Sequence, residues 1–171
     1  MRKIILPYGV KDDDAHLMML IDDDPFNGEY TRNVKKPTKK NIMKAMQWLV
    51  HGALPGDVLF LQFSGHGSRE KDEAGMEDNG FNETILPSDY ETTGMISDDT
   101  IWSSVVYPLP DGVKLIAVMD SCHSGTVLDL PFEYNFKRSE WKEDTNPSHS
   151  AGDVIQFSGC MDNQKSADAG S

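Results

Sequence analysis

The chain has little cysteine, few positive charges and no long apolar run, and each shortage narrows what it does. Only two cysteines occur among 171 residues, Cys122 and Cys160. No disulfide framework is implied, and a reducing, intracellular setting is expected. Lysine and arginine number 16 against 28 aspartates and glutamates, for a net charge of −12. Such a surface repels a phosphate backbone, which argues against a nucleic-acid partner while remaining compatible with cationic substrates or metal cations. No apolar stretch approaches the roughly 18 residues a membrane span needs. The apolar run after Arg2-Lys3 is short for a signal peptide, and none is expected there. A soluble, cytoplasmic protein without a membrane partner is the expectation. There is also no internal repeat and no low-complexity tract.

What is present fits one α/β domain over residues 1–171. Leu17-Met18-Met19-Leu20-Ile21, stopped by Asp22-Asp23-Asp24-Pro25, reads as a buried strand, and residues 25–37 read as loop. A helix is predicted from Thr38, with Ile42, Ala45, Met46, Leu49 and Val50 on one apolar face and Gly52 and Pro55-Gly56 ending it. Strands are predicted over 58–63, 115–119 and 153–157, so strand and helix alternate as in a parallel sheet. Residues 84–86 and 94–96 suggest a small hairpin, and Ser97 a cap for a short helix over 98–106. The polar, aperiodic segment 132–152 is expected to be an exposed loop or linker.

Two of those strands run directly into chemistry-bearing residues. Val58-Leu59-Phe60-Leu61-Gln62-Phe63 leads into Ser64-Gly65-His66-Gly67, and Leu115-Ile116-Ala117-Val118-Met119 into Asp120-Ser121-Cys122-His123-Ser124-Gly125. Open α/β sheets build their sites at the carboxyl ends of strands. A thiol with a pKa near 8.5 is a weak nucleophile at neutral pH until a base takes its proton, and His66 is the candidate base for Cys122. The Gly67 and Cys122 amides are candidate oxyanion donors. Alone, His66 reads as a turn histidine and Cys122 as a small buried hydrophobe; paired at strand ends, they read as a catalytic dyad. A metal site at Cys122-His123 lacks a third soft ligand, so His123 is taken as structural.

These two motifs resemble the paired signatures of the metacaspases, caspase-like cysteine peptidases. The resemblance extends to Pro37-Thr38 with Met46-Gln47-Trp48-Leu49-Val50, to Pro55-Gly56-Asp57, to Leu128-Asp129-Leu130-Pro131-Phe132 and to Asp162-Asn163-Gln164-Lys165-Ser166-Ala167-Asp168. It implies a caspase-like, mostly parallel sheet flanked by helices. It also implies that the first strand and the C-terminal strands of the family are lacking here, since the helix ending near Ile5 follows that first strand in the family and the chain stops soon after Asp168. By resemblance, His66 is the general base and Cys122 the nucleophile of a cysteine endopeptidase.

The family is known for cleavage after arginine or lysine, which requires an acidic pocket. Asp120 resembles a pocket aspartate, with Ser64, Asp162 and Asp168 as further substrate-binding candidates; a carboxylate capping nearby amides is the structural alternative for Asp120. From Asp72 to Asp99 there are nine acidic residues and no lysine or arginine. Such a run is ordinarily a solvated loop, and equally a source of oxygen ligands for a hard cation. The resemblance implies a calcium site at Asp98, Asp99 and Asp129, with Asn82 where the family carries an aspartate, and no organic cofactor. Expected partners are protein or peptide substrates with basic residues at the cleavage site. Lys137 and Arg138 are candidate self-processing positions. The alternative is a catalytically inactive caspase-like protein that acts by binding, for example on a complete paralogue. A legumain-like peptidase would carry a secretory signal.

Overall fold

A computed structural model describes residues 2–22, 34–73, 75, 80–122, 125–135, 138–144 and 147–159. Its centre is a parallel sheet of β1 (Val58–Ser64), β5 (Lys114–Asp120) and β8 (Asp153–Ser158), in the order β1-β5-β8. β1 and β5 are in register from Val58 opposite Lys114 to Ser64 opposite Asp120. β5 and β8 run from Lys114 opposite Asp153 to Met119 opposite Ser158. Because all three strands point the same way, their carboxyl ends share one edge of the sheet.

One face of that sheet carries the core. On the central strand Leu115, Ala117 and Met119 are fully buried, and Leu59, Leu61, Phe63 and Val154 flank them. Helix α2 (Lys39–Val50) contributes Ile42 and Met46 to the same buried cluster, as its apolar spacing requires. Thr38 caps α2, its side chain accepting the Asn41 amide at 3.3 Å. α4 (Asp98–Ile101) continues into a π-helical turn, Trp102–Val106, where the Tyr107 amide reaches the Trp102 carbonyl at 2.9 Å. Ile101, Val105 and Val106 complete the layer; each fully buried side chain of this size contributes about 2 kcal/mol. The predicted helix over 98–106 is thus present, with its second half wound more widely.

A second, antiparallel sheet is inserted between β1 and β5: β2 (Gly67–Lys71), β3 (Phe81–Ile85) and β4 (Ile96–Ser97), in the order β2-β3-β4. The β3–β4 pair matches the expected small hairpin, while β2 was not anticipated. A short helix, α3 (Tyr90–Thr93), links β3 to β4. At the amino end lie α1 (Arg2–Ile5) and a 3-10 turn, Leu6–Tyr8. The expected buried strand at 17–21 is only a single bridge, Leu20 to Lys35, and its residues are half-buried; with one paired residue, the run has no ladder to extend. Segment 132–152 is exposed over much of its length, yet it contains an antiparallel hairpin, β6 (Phe132–Asn135) with β7 (Glu140–Glu143). Tyr134 and Trp141 lie opposite one another with rings 5.1 Å apart, a cross-strand aromatic pair that holds the ribbon together.

Candidate active site at the strand ends

The site is built where β1 and β5 stop. Ser64 and Asp120 are the last registered pair, and the Gly65 amide donates to the Asp120 carbonyl at 3.1 Å as β1 leaves the sheet. The chain then turns through His66 into β2. The His66 carbonyl accepts the Leu86 amide at 3.0 Å, which ties this corner to the end of β3. His66 is exposed and Cys122 half-buried. A Cβ at Gly67 would lie 2.0 Å from the Cys122 carbonyl oxygen and 3.3 Å from the Ser121 hydroxyl oxygen. Only glycine allows the two strand-end segments to approach this closely. The structure therefore brings Ser64-Gly65-His66-Gly67 and Asp120-Ser121-Cys122 alongside each other, as expected for parallel neighbours.

The ladder also orients the Gly67 amide. Because Leu86 donates to His66, Gly67 and Ile85 form a non-hydrogen-bonded pair, and the Gly67 N–H is turned away from β3. It is not consumed by the sheet on that side. Ser64 accepts a hydrogen bond from the Gln62 side chain, and the Asp120 side chain stands exposed beside it on the same rung.

The acidic residues group elsewhere. Asp98 is buried, its two carboxylate oxygens accepting the Glu83 amide at 2.7 Å and the Asp99 amide at 2.8 Å. Burial pushes its carboxyl up to about 7 against the pull of those amides, and the charges of Glu83 and Asp99 add to the rise. Glu83 is fully buried and pairs with Arg69 of β2, Nε to Oε1, at 3.0 Å. That pair, with Glu83 buried and Arg69 half-buried, carried no sequence signal beyond a charged residue in a strand. Asp129 sits in the left-handed region at φ 47°. Burial raises its carboxyl, the Ser148 hydroxyl opposes this, and the charges of Asp99 and Asp144 raise it further. Asp99 and Asp129 therefore act on one another, with Asp144 as a neighbour the sequence did not single out.

Carboxylates of this kind suit a hard cation such as calcium. Yet among the described residues no group of three or more histidine, cysteine, aspartate or glutamate side chains is arranged to hold a metal. Asp98 spends its carboxylate on backbone amides, and Asn82 lies on β3 opposite Glu70. The donors in this arrangement do not converge into a cage. Asp162, Asp168, His123 and Lys137 lie outside the described residues. Arg138 is exposed beside β7, its guanidinium 3.6 Å from Glu140. No described helix is long and apolar enough to cross a membrane.

Comparison with known proteins gives the same family as the motifs. A family model described as the metacaspase, peptidase C14 domain matches residues 1–131. Metacaspase-1 of Plasmodium falciparum is 47% identical over 163 residues, covering 95% of this chain and 26% of that protein. Metacaspase-2 of Arabidopsis thaliana is 50% identical over 141 residues, covering 77% of this chain and 34% of its own length. The chain thus spans about a quarter to a third of these curated relatives. A crystal structure of a protein from Geobacter sulfurreducens superposes with a TM-score of 0.53 at 23% identity, over 75% of this chain and 55% of that one, a likeness of fold. With the family model covering most of its length, the chain belongs to the metacaspases, caspase-like cysteine peptidases of family C14.

Proposed function

We propose that the chain carries the catalytic machinery of a cysteine endopeptidase that cleaves after arginine or lysine. Cys122 is the nucleophile and His66 its base. The observation that supports this most is the fit of Gly67 beneath the Cys122 carbonyl, which brings the segment bearing His66 against the segment bearing the thiol. In the reaction, His66 takes the Cys122 proton and the thiolate attacks the carbonyl carbon of the scissile bond. The oxyanion that forms is met by the Gly67 and Cys122 amides. The C–N bond then breaks, the leaving amine takes the proton from His66, and a thioester remains on Cys122. Water, deprotonated by His66, adds to that thioester and releases the acid and the free thiol.

The selectivity for a basic residue is assigned to Asp120, one rung beyond the core and beside Ser64. A guanidinium or ammonium group there meets a carboxylate at the edge of the sheet. Calcium is proposed as an activator external to this chemistry, drawn by Asp99 and Asp129. It would require those carboxylates to close on it, and no step of the hydrolysis runs through it. Asp98 serves instead to hold β3 to the start of α4 through its two amide contacts.

The test is hydrolysis of fluorogenic peptides ending in arginine, lysine, aspartate or asparagine, with and without calcium. Cleavage of the basic peptides alone, abolished in Cys122→Ala, is the expected result. Cleavage after aspartate or asparagine refutes the assignment of Asp120. Absence of any cleavage, with Cys122→Ala indistinguishable from the parent, favours the binding-protein alternative.

A further inference from the structure

The third strand of the sheet ends beside Asp120, and what it places there is an absence of side chain. The last registered pair of β5 and β8 is Met119 with Ser158, and the Gly159 amide continues the ladder to the Met119 carbonyl at 3.0 Å. Gly159 is therefore the neighbour of Asp120 on one side, as Ser64 is on the other. A Cβ at Gly159 would lie 2.7 Å from Asp120 Oδ1, 3.7 Å from its Cγ and 3.6 Å from its Cα. The carboxylate leans into the space that a side chain at 159 would fill. Gly159 is not among the positive-φ glycines, so its backbone does not itself demand glycine. Residue 159 is exposed, so the space faces solvent.

We propose that Gly159 is a specificity-determining position: it is the notch that lets the Asp120 carboxylate present itself to the basic side chain of the substrate. This rests on the reading of Asp120 as the seat of that side chain, and adds what leaves room for its carboxylate. A methyl group at 159 must push Oδ1 aside by several tenths of an ångström, by rotating the carboxylate about its side-chain torsions. The charge survives that rotation, but the orientation does not. Arginine grips a carboxylate through two parallel N–H donors in one plane, whereas lysine meets it as a point charge. Crowding at 159 therefore penalises arginine more than lysine. Loss of one of two charge-assisted hydrogen bonds corresponds to about a tenfold loss for arginine, against roughly twofold to threefold for lysine.

The experiment measures alkylation of Cys122 by two reagents: an arginyl chloromethyl ketone, in which the thiolate displaces chloride, and uncharged iodoacetamide, which forms the same kind of C–S bond without a basic side chain. The readout is the ratio of the two rates, located on Cys122 by peptide mass spectrometry. It is taken in the parent, in Gly159→Ala, in Gly159→Ser and in Asp120→Asn, with a lysyl chloromethyl ketone as the second arm. The parent prefers the arginyl reagent and Asp120→Asn loses that preference. Gly159→Ala is expected to cut the ratio about tenfold for arginine and markedly less for lysine. Gly159→Ser, whose hydroxyl donates to Asp120 and competes with the substrate, moves it the same way. An unchanged ratio in both Gly159 variants overturns the proposal, and so does an equal fall with both basic reagents. A parent without preference, or an Asp120→Asn variant that keeps it, overturns the reading of Asp120 itself.

Discussion

Replacing Gly67 by alanine tests the tightest contact in the site. The new Cβ would lie 2.0 Å from the Cys122 carbonyl oxygen and 3.1 Å from its carbonyl carbon, both backbone atoms that no side-chain rotation can move. An ordinary contact needs about 3.4 Å, so the start of β2 and the Cys122 segment must separate by roughly 1.4 Å. A displacement of about 1 Å in a catalytic constellation costs on the order of a hundredfold in rate, and overpacking of this kind destabilises by about 1–3 kcal/mol. Gly65→Ala is the comparison: its Cβ would meet the Phe63 ring at 2.9 Å, a side chain that can turn away, so its effect is smaller. The assay is kcat/KM on an arginine-ended fluorogenic peptide, with a thermal melt of each variant. A hundredfold loss in Gly67→Ala, in a protein that still melts cooperatively, is the expected result. Activity in Gly67→Ala equal to that of the parent would show that the two segments are not held against each other, and the argument from the glycine would fail.

Further predictions concern the acidic residues and the scaffold. Asp98 has its folded pKa raised from 3.8 to about 7 by burial, so between those values the folded protein holds a proton that the unfolded chain has released. Its contribution therefore makes stability fall as pH rises from about 4 to 7. Urea denaturation across that window should show a flatter pH dependence in Asp98→Asn, and an unchanged slope would refute the assignment. Calcium at millimolar concentration should raise the melting temperature by relieving the repulsion of Asp99 and Asp144 on Asp129. Asp129→Asn should remove that rise, and a calcium effect that survives the substitution excludes Asp129 as a ligand. Thr38→Ala should cost about 1 kcal/mol in urea denaturation through loss of the cap on Asn41; no change would show that the cap is not used.

The sheet was legible because its three strands are short, largely apolar runs, and α2 because Ile42 and Met46 recur at the helical period. That the segments carrying His66 and Cys122 end side by side was legible for the same reason: parallel neighbours end at one edge. β2 escaped notice because Gly67-Ser68-Arg69-Glu70-Lys71 has no apolar alternation. It is a strand only through its ladder with β3 and the Arg69–Glu83 ion pair. The β6–β7 hairpin was hidden by charge, although Tyr134 and Trp141 flanking a short turn were the available signal. Leu17–Ile21 misled in the opposite direction, since hydrophobicity marks a wish for burial and says nothing of a partner strand. The acidic run read equally as a solvated loop or a source of cation ligands, and the calcium site came from the family resemblance. In the fold Asp98 accepts two backbone amides, a use that composition cannot distinguish from ligation. Gly159 is the reverse case, a residue whose role lies in what it lacks.

The central claim is that His66 acts on the Cys122 thiol, and the most direct measurement is the rate of Cys122 alkylation by iodoacetamide at pH 7 in the parent and in His66→Ala. The parent is expected to react about tenfold faster or more, with the difference vanishing above the ordinary thiol pKa near 8.5. Equal rates at pH 7 would mean that the two residues share an edge of the sheet without sharing a proton.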